Sequence, residues 1–147
     1  MKPVILYTDG ASRGNPGKGG WGVVLIYGKA QKELKGYSEL ATNNQMELLA
    51  AIKGLEELKV ACDVTLYTDS QYVVSGVTQW MTNWKKNNWR TSNKQPVKNK
   101  ELWQRLEELS QFHQVHWQWV KGHSGNNGNE LADELANQAI DEHEANA

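Results

Sequence analysis

Two short segments of this 147-residue chain repeat almost the same five residues. Residues 6–10 are Leu-Tyr-Thr-Asp-Gly, and residues 66–70 are Leu-Tyr-Thr-Asp-Ser. Each segment has the composition of a β-strand and places an aspartate at its carboxyl end. A helix-forming stretch at 46–58 lies between them, and strands joined by a helical crossover usually lie parallel and close together. The repeat therefore predicts that Asp9 and Asp69 face each other at one edge of a sheet.

Three more segments have strand composition, so we predict an α/β protein with a mixed five-stranded sheet flanked by helices. Residues 21–27 and 31–38 are expected to form an antiparallel meander with the first strand, at 4–8. Alternating tryptophans at 115–119 predict the fifth strand. Residues 10–20 hold five glycines and one proline, a composition that predicts a loop.

The predicted helix at 46–58 carries one residue of special interest. Thr42, Asn43 and Asn44 precede this helix and supply N-cap chemistry. One face of the helix is apolar, and another carries small residues that would let it lie close to a sheet. Glu47 is the one acid on that small face. Further helices are predicted at 72–77, at 78–89, at 101–109, and from a cap at Asn129 to about Asp141.

The composition excludes several classes of protein. Hydrophobic residues make up 39% of the chain and charged residues 22%, which predicts one globular domain over residues 1–147 and excludes a collagen-like or disordered chain. The apolar run at 23–26 is far shorter than the ~20 residues of a membrane span. A single cysteine, Cys62, cannot form an internal disulfide, which favours a reducing, cytoplasmic location. We expect a monomer and a disordered tail at about 142–147.

The charges are distributed unevenly, although their formal sum is only −1. Residues 85–105 contain seven basic residues and one acid, whereas residues 122–147 contain six acids and no lysine or arginine. Trp80, Trp84 and Trp89 are interleaved with the basic residues, as expected for a surface that binds nucleic acid. The alternative is that these tryptophans fill the core beside a solvated basic face. Trp21, Trp103, Trp117 and Trp119 are predicted mainly as core residues.

Two carboxylates at adjacent strand ends would repel each other unless a cation lay between them. Hard oxygen ligands of this kind suit Mg²⁺ or Mn²⁺. The alternative is that Asp9 and Asp69 are ordinary turn or cap residues, which aspartate often supplies after a strand. Glu47 has the alternative role of a solvated helix charge. Asp133 has the alternative role of a favourable charge near the start of the last helix.

These residues and their neighbours resemble the ribonuclease H family, in its type 1 bacterial form. The matching residues extend over nearly the whole chain. They are Tyr7-Thr8-Asp9-Gly10, Gly14-Asn15-Pro16-Gly17, Gly20-Trp21-Gly22, Thr42-Asn43-Asn44, Met46-Glu47-Leu48, Thr68-Asp69-Ser70-Gln71-Tyr72, Trp80, Trp84-Lys85-Lys86, Trp103, Trp119-Val120-Lys121-Gly122-His123, Asn129-Glu130 and Asp133. The resemblance implies the ribonuclease H fold and an endoribonuclease that hydrolyses the RNA strand of RNA–DNA hybrids.

The resemblance also implies the site chemistry. Asp9, Glu47, Asp69 and Asp133 match the family's metal-binding carboxylates, which implies two divalent ions, normally Mg²⁺ with Mn²⁺ as a substitute. Two such ions activate a water and stabilise the leaving oxygen, so the products implied are a 5′-phosphate and a 3′-hydroxyl. His123 matches a histidine in a mobile loop, where it transfers a proton or assists product departure.

The family's substrate contacts map onto two groups of residues. The first lies near the carboxylates and consists of Asn15, Thr42, Asn43, Asn44 and Gln71. The second is a basic protrusion that contains Trp80, Trp84, Lys85, Lys86, Trp89 and Arg90. Asn87 and Asn88 stand where relatives often carry more charge, which predicts a weaker grip on the substrate. No protein partner or membrane is implied.

Two alternatives compete with this interpretation. One is a metal nuclease of related fold that acts on DNA, and the other is a non-catalytic module that binds hybrids. The basic protrusion and the His123 loop disfavour the first, and the four acids disfavour the second, because a binding module gains nothing from acids that face phosphate. His113, His116 and His143 lack such context and are predicted at surface or strand positions.

Overall fold

The computed structural model describes residues 1–122 and 125–146, which include a five-stranded mixed sheet in the order β3-β2-β1-β4-β5. The first three strands form an antiparallel meander, whereas β4 is parallel to both β1 and β5. The strands are β1 (Lys2–Gly14), β2 (Gly17–Tyr27), β3 (Ala30–Ala41), β4 (Cys62–Thr68) and β5 (Gln114–Trp119). The predicted α/β class, strand number and meander are confirmed.

Helices lie on both faces of this sheet. They are α1 (Asn43–Glu56), α2 (Gln71–Ser75), α3 (Met81–Lys86), α4 (Lys100–Phe112) and α5 (Asn127–Ala145), with a π-helical turn at Gly76–Trp80 between α2 and α3. Helix α1 contacts β1, β2 and α4 on one face, and α5 contacts β1, β2 and β3 on the other. None of the helices in the described parts of the chain is long and apolar enough to cross a membrane.

The main core lies between the sheet and helices α1 and α4. Leu6 and Leu66 from neighbouring strands are fully buried there with Leu48, Leu55 and Trp103. These side chains come from alternate strand positions and from one helix face, so the burial follows the two sequence periods. A smaller cluster joins α5 to the opposite face of the sheet.

The loop predicted at 10–20 is wrong, because β1 and β2 continue as a hairpin to the pair Gly14–Gly17. Gly14 adopts a positive φ at the hairpin turn, whereas other glycines of the stretch permit close packing. A Cβ at Gly20 would lie 2.1 Å from the carbonyl oxygen of Ala136 in α5. Strand pairing and a close helix thus override the local preference of this glycine-rich stretch.

The last helix begins and ends at residues other than those predicted. Asn126, not Asn129, is its N-cap, and the Asn126 side chain accepts a hydrogen bond from the Asn129 backbone N–H at 2.8 Å. The helix continues past Asp141 to Ala145, so residues 142–145 do not form the disordered tail that we predicted. Contacts of the final turns with the meander explain the extension, for example the 2.6 Å ion pair between Asp141 and Arg13.

Two further residues occupy environments that differ from the prediction. Trp119 is not a core residue, because it ends the edge strand β5 and remains 45% exposed. His113 is not at the surface but only 4% exposed, since it closes the space between α1 and the start of β4. Its Nδ1 accepts a hydrogen bond from the Cys62 N–H at 3.1 Å, and its Nε2 lies 3.2 Å from the Leu55 carbonyl oxygen. Burial lowers the pKa of His113.

Candidate active site

The repeated pentapeptides bring Asp9 and Asp69 together, as predicted. The parallel register of β1 and β4 pairs Tyr7 with Tyr67 and Thr8 with Thr68. The two tyrosine rings stack with their centroids 5.0 Å apart. Asp69 follows directly at the end of β4, whereas Asp9 lies beside Thr8 within β1, which continues past the predicted strand end to Gly14. One oxygen from each aspartate and one from Glu47 lie within 4.8 Å of one another.

Glu47 reaches this edge because α1 crosses very close to β1. A Cβ on Gly10 would lie 2.3 Å from the carbonyl carbon of Met46 and 2.4 Å from the nitrogen of Glu47. Only glycine therefore permits this approach. The Gly10 N–H donates a hydrogen bond of 2.5 Å to Glu47 Oε1, which fixes the carboxylate beside Asp9.

Asp133 approaches from the opposite face of the sheet. Gly22 pairs with Asp9 in the β1–β2 ladder, and a Cβ on Gly22 would lie 2.3 Å from the carbonyl oxygen of Ala132 in α5. The missing side chain lets α5 lie against the strand at this point. The Asp133 carboxylate lies close enough to Asp9 to help raise the pKa of Asp9. One Asp133 carboxylate oxygen also lies 3.4 Å from the Asn137 amide nitrogen.

The carboxylates are crowded, and Asp9 and Glu47 are shielded from water, whereas Asp69 and Asp133 are half-buried. Asp9 is 3% exposed and Glu47 is 6% exposed. Burial, followed by the charge of Asp69, raises the pKa of Asp9 to about 9. Burial and the charges of Asp9 and Asp69 also raise the pKa of Glu47 well above its ordinary value. A divalent cation would relieve this repulsion, and an all-carboxylate set has the hard oxygen donors that Mg²⁺ and Mn²⁺ prefer.

His123, which we predicted to act beside the carboxylates, lies outside the described residues. Its neighbour Gly122 is described and lies against Asp69, since a Cβ there would be 2.7 Å from Asp69 Oδ2. The chain segment that leads to His123 therefore passes directly beside the carboxylate cluster.

Four of the predicted substrate contacts lie together at the start of α1. Thr42 caps the helix by accepting a hydrogen bond from the Gln45 N–H at 3.1 Å. Asn15, in the turn of the β1–β2 hairpin, accepts a hydrogen bond from the Asn43 N–H at 3.0 Å. Asn44 is exposed in the same first turn, and Gln71 is exposed at the first residue of α2. Thr42 thus caps the helix, while Asn44 and Gln71 leave polar side chains exposed to solvent.

The aromatic residues of the basic segment have two different environments. Trp84 and Trp89 pack against the main core, and the Trp84 ring centroid lies 5.3 Å from that of Trp103. Both rings are thus half-buried against the core, and their contact with substrate stays a prediction. Trp80 is 38% exposed and is the member of the trio with a large exposed ring face.

The basic side chains of this segment also differ from one another. Lys85 forms a 2.8 Å ion pair with Glu107 of α4. Lys86, Arg90 and Lys94 line an open hollow of about 550 Å³. A cationic surface thus extends beyond Trp80, and only part of the predicted basic charge is engaged with α4.

Sequence reasoning missed two connections to this region. The indole N–H of Trp119 donates a hydrogen bond of 3.0 Å to the carbonyl oxygen of Asp69. Asn99 accepts a 3.2 Å hydrogen bond from the Gln45 side chain and donates one of 3.2 Å to the Tyr72 hydroxyl, which joins the start of α1 to α2. No local pattern marks either connection, because the partners are distant in sequence.

Comparison with known proteins yields consistent matches along the chain. Residues 1–141 match the RNase H family. The chain is 65% identical to a ribonuclease H from Hydrogenovibrio crunogenus over 97% of this chain and 98% of that protein. It is 63% identical to a ribonuclease H from Alcanivorax borkumensis, with coverage of 97% and 94%.

Solved structures agree with the sequence comparisons. LC9-RNase H1, described as a type 1 RNase H with the type 2 active-site motif, superposes with a TM-score of 0.85 at 29% identity, over 96% of this chain and 73% of that one. LC11-RNase H1, solved in complex with an RNA/DNA hybrid, superposes with a TM-score of 0.73 at 29% identity, over 95% and 98%.

Proposed function

The chain belongs to the ribonuclease H family, and from this premise we propose that Asp9, Glu47, Asp69 and Asp133 form the site at which it cleaves the RNA strand of RNA–DNA hybrids. It is a metal-dependent endoribonuclease. The observation that carries the proposed site is the convergence of carboxylate oxygens from β1, α1 and the end of β4 within 4.8 Å.

We assign Mg²⁺ as the physiological metal, in two ions, with Mn²⁺ as a substitute. The chemistry that such ions supply when bound is activation of a water nucleophile and neutralisation of charge on the leaving oxygen. The donors expected to hold them are the carboxylates of Asp9, Glu47, Asp69 and Asp133. Their packing and shared negative charge fit divalent cations, because a bound cation relieves the crowding that raises the pKa of Asp9 and Glu47.

The remaining residues have roles in binding and proton transfer. His123, one residue beyond Gly122, has an imidazole suited to moving a proton near neutral pH or assisting product departure. Cleavage that leaves a 5′-phosphate and a 3′-hydroxyl requires no covalent bond to the enzyme. The proposal therefore needs no nucleophilic side chain in the site.

Two groups of residues are expected to bind the hybrid. The first group offers hydrogen bonds to the sugar-phosphate backbone of the hybrid close to the cleaved bond. It consists of Asn15, Thr42, Asn43 and Asn44 at the start of α1, with Gln71 at the start of α2. The basic segment with Trp80, Trp84, Lys85, Lys86, Trp89 and Arg90 offers cations to the phosphates of the DNA strand. The 2′-hydroxyl, which can donate and accept hydrogen bonds, is the feature that distinguishes the RNA strand.

One experiment tests the site directly. A hybrid labelled separately on each strand is incubated with the wild-type protein or with Asp9→Asn, in Mg²⁺ or in chelator. The proposal expects cleavage of the RNA strand alone, lost in chelator and lost in Asp9→Asn. Cleavage by purified Asp9→Asn at the wild-type rate would contradict the assigned site.

A substrate panel tests the class of nucleic acid. Hybrid, duplex RNA and duplex DNA of the same sequence are compared at equal concentrations. Preferential cleavage of duplex DNA would indicate a DNA nuclease of related fold, and tight hybrid binding without cleavage would indicate a binding module. We further propose a single catalytic domain, a monomeric state and a cytoplasmic location, which sedimentation and fractionation would test.

A further inference from the structure

Asp69 differs from the other proposed metal ligands in its local support. Asp9 lies within β1, Glu47 within α1 and Asp133 within α5, so a regular hydrogen-bond pattern holds each of them. Asp69 lies between the end of β4 and the start of α2. Its position therefore depends on contacts from outside its own segment.

Those contacts come from the end of β5. The backbone ladder between β4 and β5 ends at the pair Thr68–Trp119, and the Val120 N–H donates a 2.9 Å hydrogen bond to the Thr68 carbonyl oxygen. Asp69 is the next residue after Thr68, and its carbonyl oxygen accepts a 3.0 Å hydrogen bond from the Trp119 indole N–H. The side chain thus continues the pattern of hydrogen bonds where the backbone pairing stops.

The same segment also contacts the Asp69 carboxylate. Gly122 lies directly against this side chain, since a Cβ built there would be 2.7 Å from Asp69 Oδ2. The Trp119 side chain therefore holds the Asp69 main chain, and Gly122 lies next to the carboxylate. Core packing does not account for Trp119, because its side chain is among the exposed large hydrophobic groups.

We propose that Trp119 is a positioning residue that holds Asp69 in the geometry required to bind a divalent cation. The inference rests on the proposed metal site. Loss of a hydrogen-bond partner of a ligating side chain weakens metal affinity by about 10–100-fold. Because Trp119 holds the Asp69 main chain rather than its carboxylate, we expect an effect at the lower limit, about tenfold. Trp119 acts through Asp69 and needs no contact with substrate for this role.

The test compares Trp119→Phe with Trp117→Phe. Phenylalanine keeps an aromatic ring at position 119 and removes the N–H donor. Trp117 lies two residues earlier on the same strand and packs against the core, so it controls for loss of an indole. Affinity for Mn²⁺ is measured by calorimetry without substrate, together with the urea midpoint of each protein.

We expect Trp119→Phe to bind Mn²⁺ about tenfold more weakly than the wild type. The Mn²⁺ concentration for half-maximal cleavage should rise in parallel, while cleavage at saturating Mn²⁺ recovers to near the wild-type rate. Trp117→Phe should keep the wild-type affinity. Unchanged Mn²⁺ affinity in Trp119→Phe would overturn the positioning role.

A second substitution removes the donor with less change in shape. Benzothienylalanine at position 119 replaces the indole N–H with sulfur, and it should reproduce the weaker Mn²⁺ affinity. Wild-type affinity in this protein would also overturn the inference. Failure of the proposed function is a separate outcome, because it would appear as wild-type cleavage that persists in chelator.

Discussion

Neutralising Asp9 should stabilise the metal-free protein while abolishing cleavage. The folded state raises the pKa of Asp9 from 3.8 to about 9, chiefly through burial and then through the charge of Asp69. A raised pKa means that the unfolded chain gives up this proton more readily than the folded protein. Stability is therefore lost as the pH rises above 3.8, and the loss is complete only at about pH 9.

The size of the effect follows from these two values. Each pH unit between them lowers the free energy of unfolding by about 1.4 kcal/mol, so the loss reaches about 4 kcal/mol at pH 7 and about 2 kcal/mol at pH 5. The asparagine introduced by Asp9→Asn would carry no charge but would still need hydrogen bonds for its buried amide, which costs about 1–2 kcal/mol. We expect Asp9→Asn to be about 2–3 kcal/mol more stable than the wild type at pH 7, with a smaller gain at pH 5.

Urea unfolding in chelator at pH 5 and pH 7 measures this gain. Asp141→Asn is the matched control, because the same substitution there removes an exposed ion pair with Arg13 and should leave stability within about 1 kcal/mol. Saturating Mn²⁺ should stabilise the wild type more than Asp9→Asn, and so reduce the difference in their free energies of unfolding. The reasoning is refuted if Asp9→Asn is no more stable than the wild type, or if its advantage is the same at both pH values.

Three further predictions concern packing, titration and salt. Gly10→Ala places a methyl 2.3 Å from the α1 backbone, so it should lower the free energy of unfolding in urea by about 1–3 kcal/mol and the cleavage rate by about 100-fold. Gly54→Ala is the control, because its nearest contact is a side chain at 3.2 Å, and it should cause neither decrease. Equal effects of the two would contradict the close-approach argument. Burial lowers the pKa of His113 below its ordinary value of 6.5. The neutral imidazole therefore stabilises the folded protein fully above pH 6.5, and this stabilisation is lost as the pH falls through the pKa of the folded state. When the pH falls from 7 to 5, the free energy of unfolding of His113→Gln should therefore decrease less than that of the wild type. An equal decrease would exclude His113 as a cause of the acid destabilisation. Arg90→Ala should reduce the slope of log Kd for a hybrid against log salt by about 1. Lys85→Ala, which removes a residue already in an ion pair, should reduce it less, and an unchanged slope in both would exclude phosphate contacts.

The structure agrees with the sequence where a short pattern corresponds to a local rule. The repeated Leu-Tyr-Thr-Asp segments predict two parallel strands with aspartates at one edge, and the register of β1 and β4 confirms this. The apolar and small faces of the helix that carries Glu47 predict its burial against the sheet, which is also observed. The hydrophobic period and the composition of a strand depend on a few adjacent residues, so the sequence alone predicts these features. The predicted end of the first strand was wrong, because β1 continues past Asp9 to Gly14.

Local composition failed where distant elements decide the conformation. The glycine-rich stretch at 10–20 forms a hairpin rather than a loop, because strand pairing and the approach of α1 and α5 require small residues there. His113 is buried because α1 and β4 supply its hydrogen-bond partners, and neither partner is near it in sequence. The last helix extends because the meander supplies cations for its acidic final turns.

Residue types at fixed spacing were enough to establish the family, the α/β class and the identity of the candidate carboxylates. The way in which those carboxylates meet depends instead on packing in three dimensions. Gly10 and Gly22 admit helices from opposite faces of the sheet, and this brings Glu47 and Asp133 to Asp9. The raised pKa of Asp9 and the Trp119 hydrogen bond to Asp69 follow from that packing, since burial and long-range contacts are properties of the folded chain.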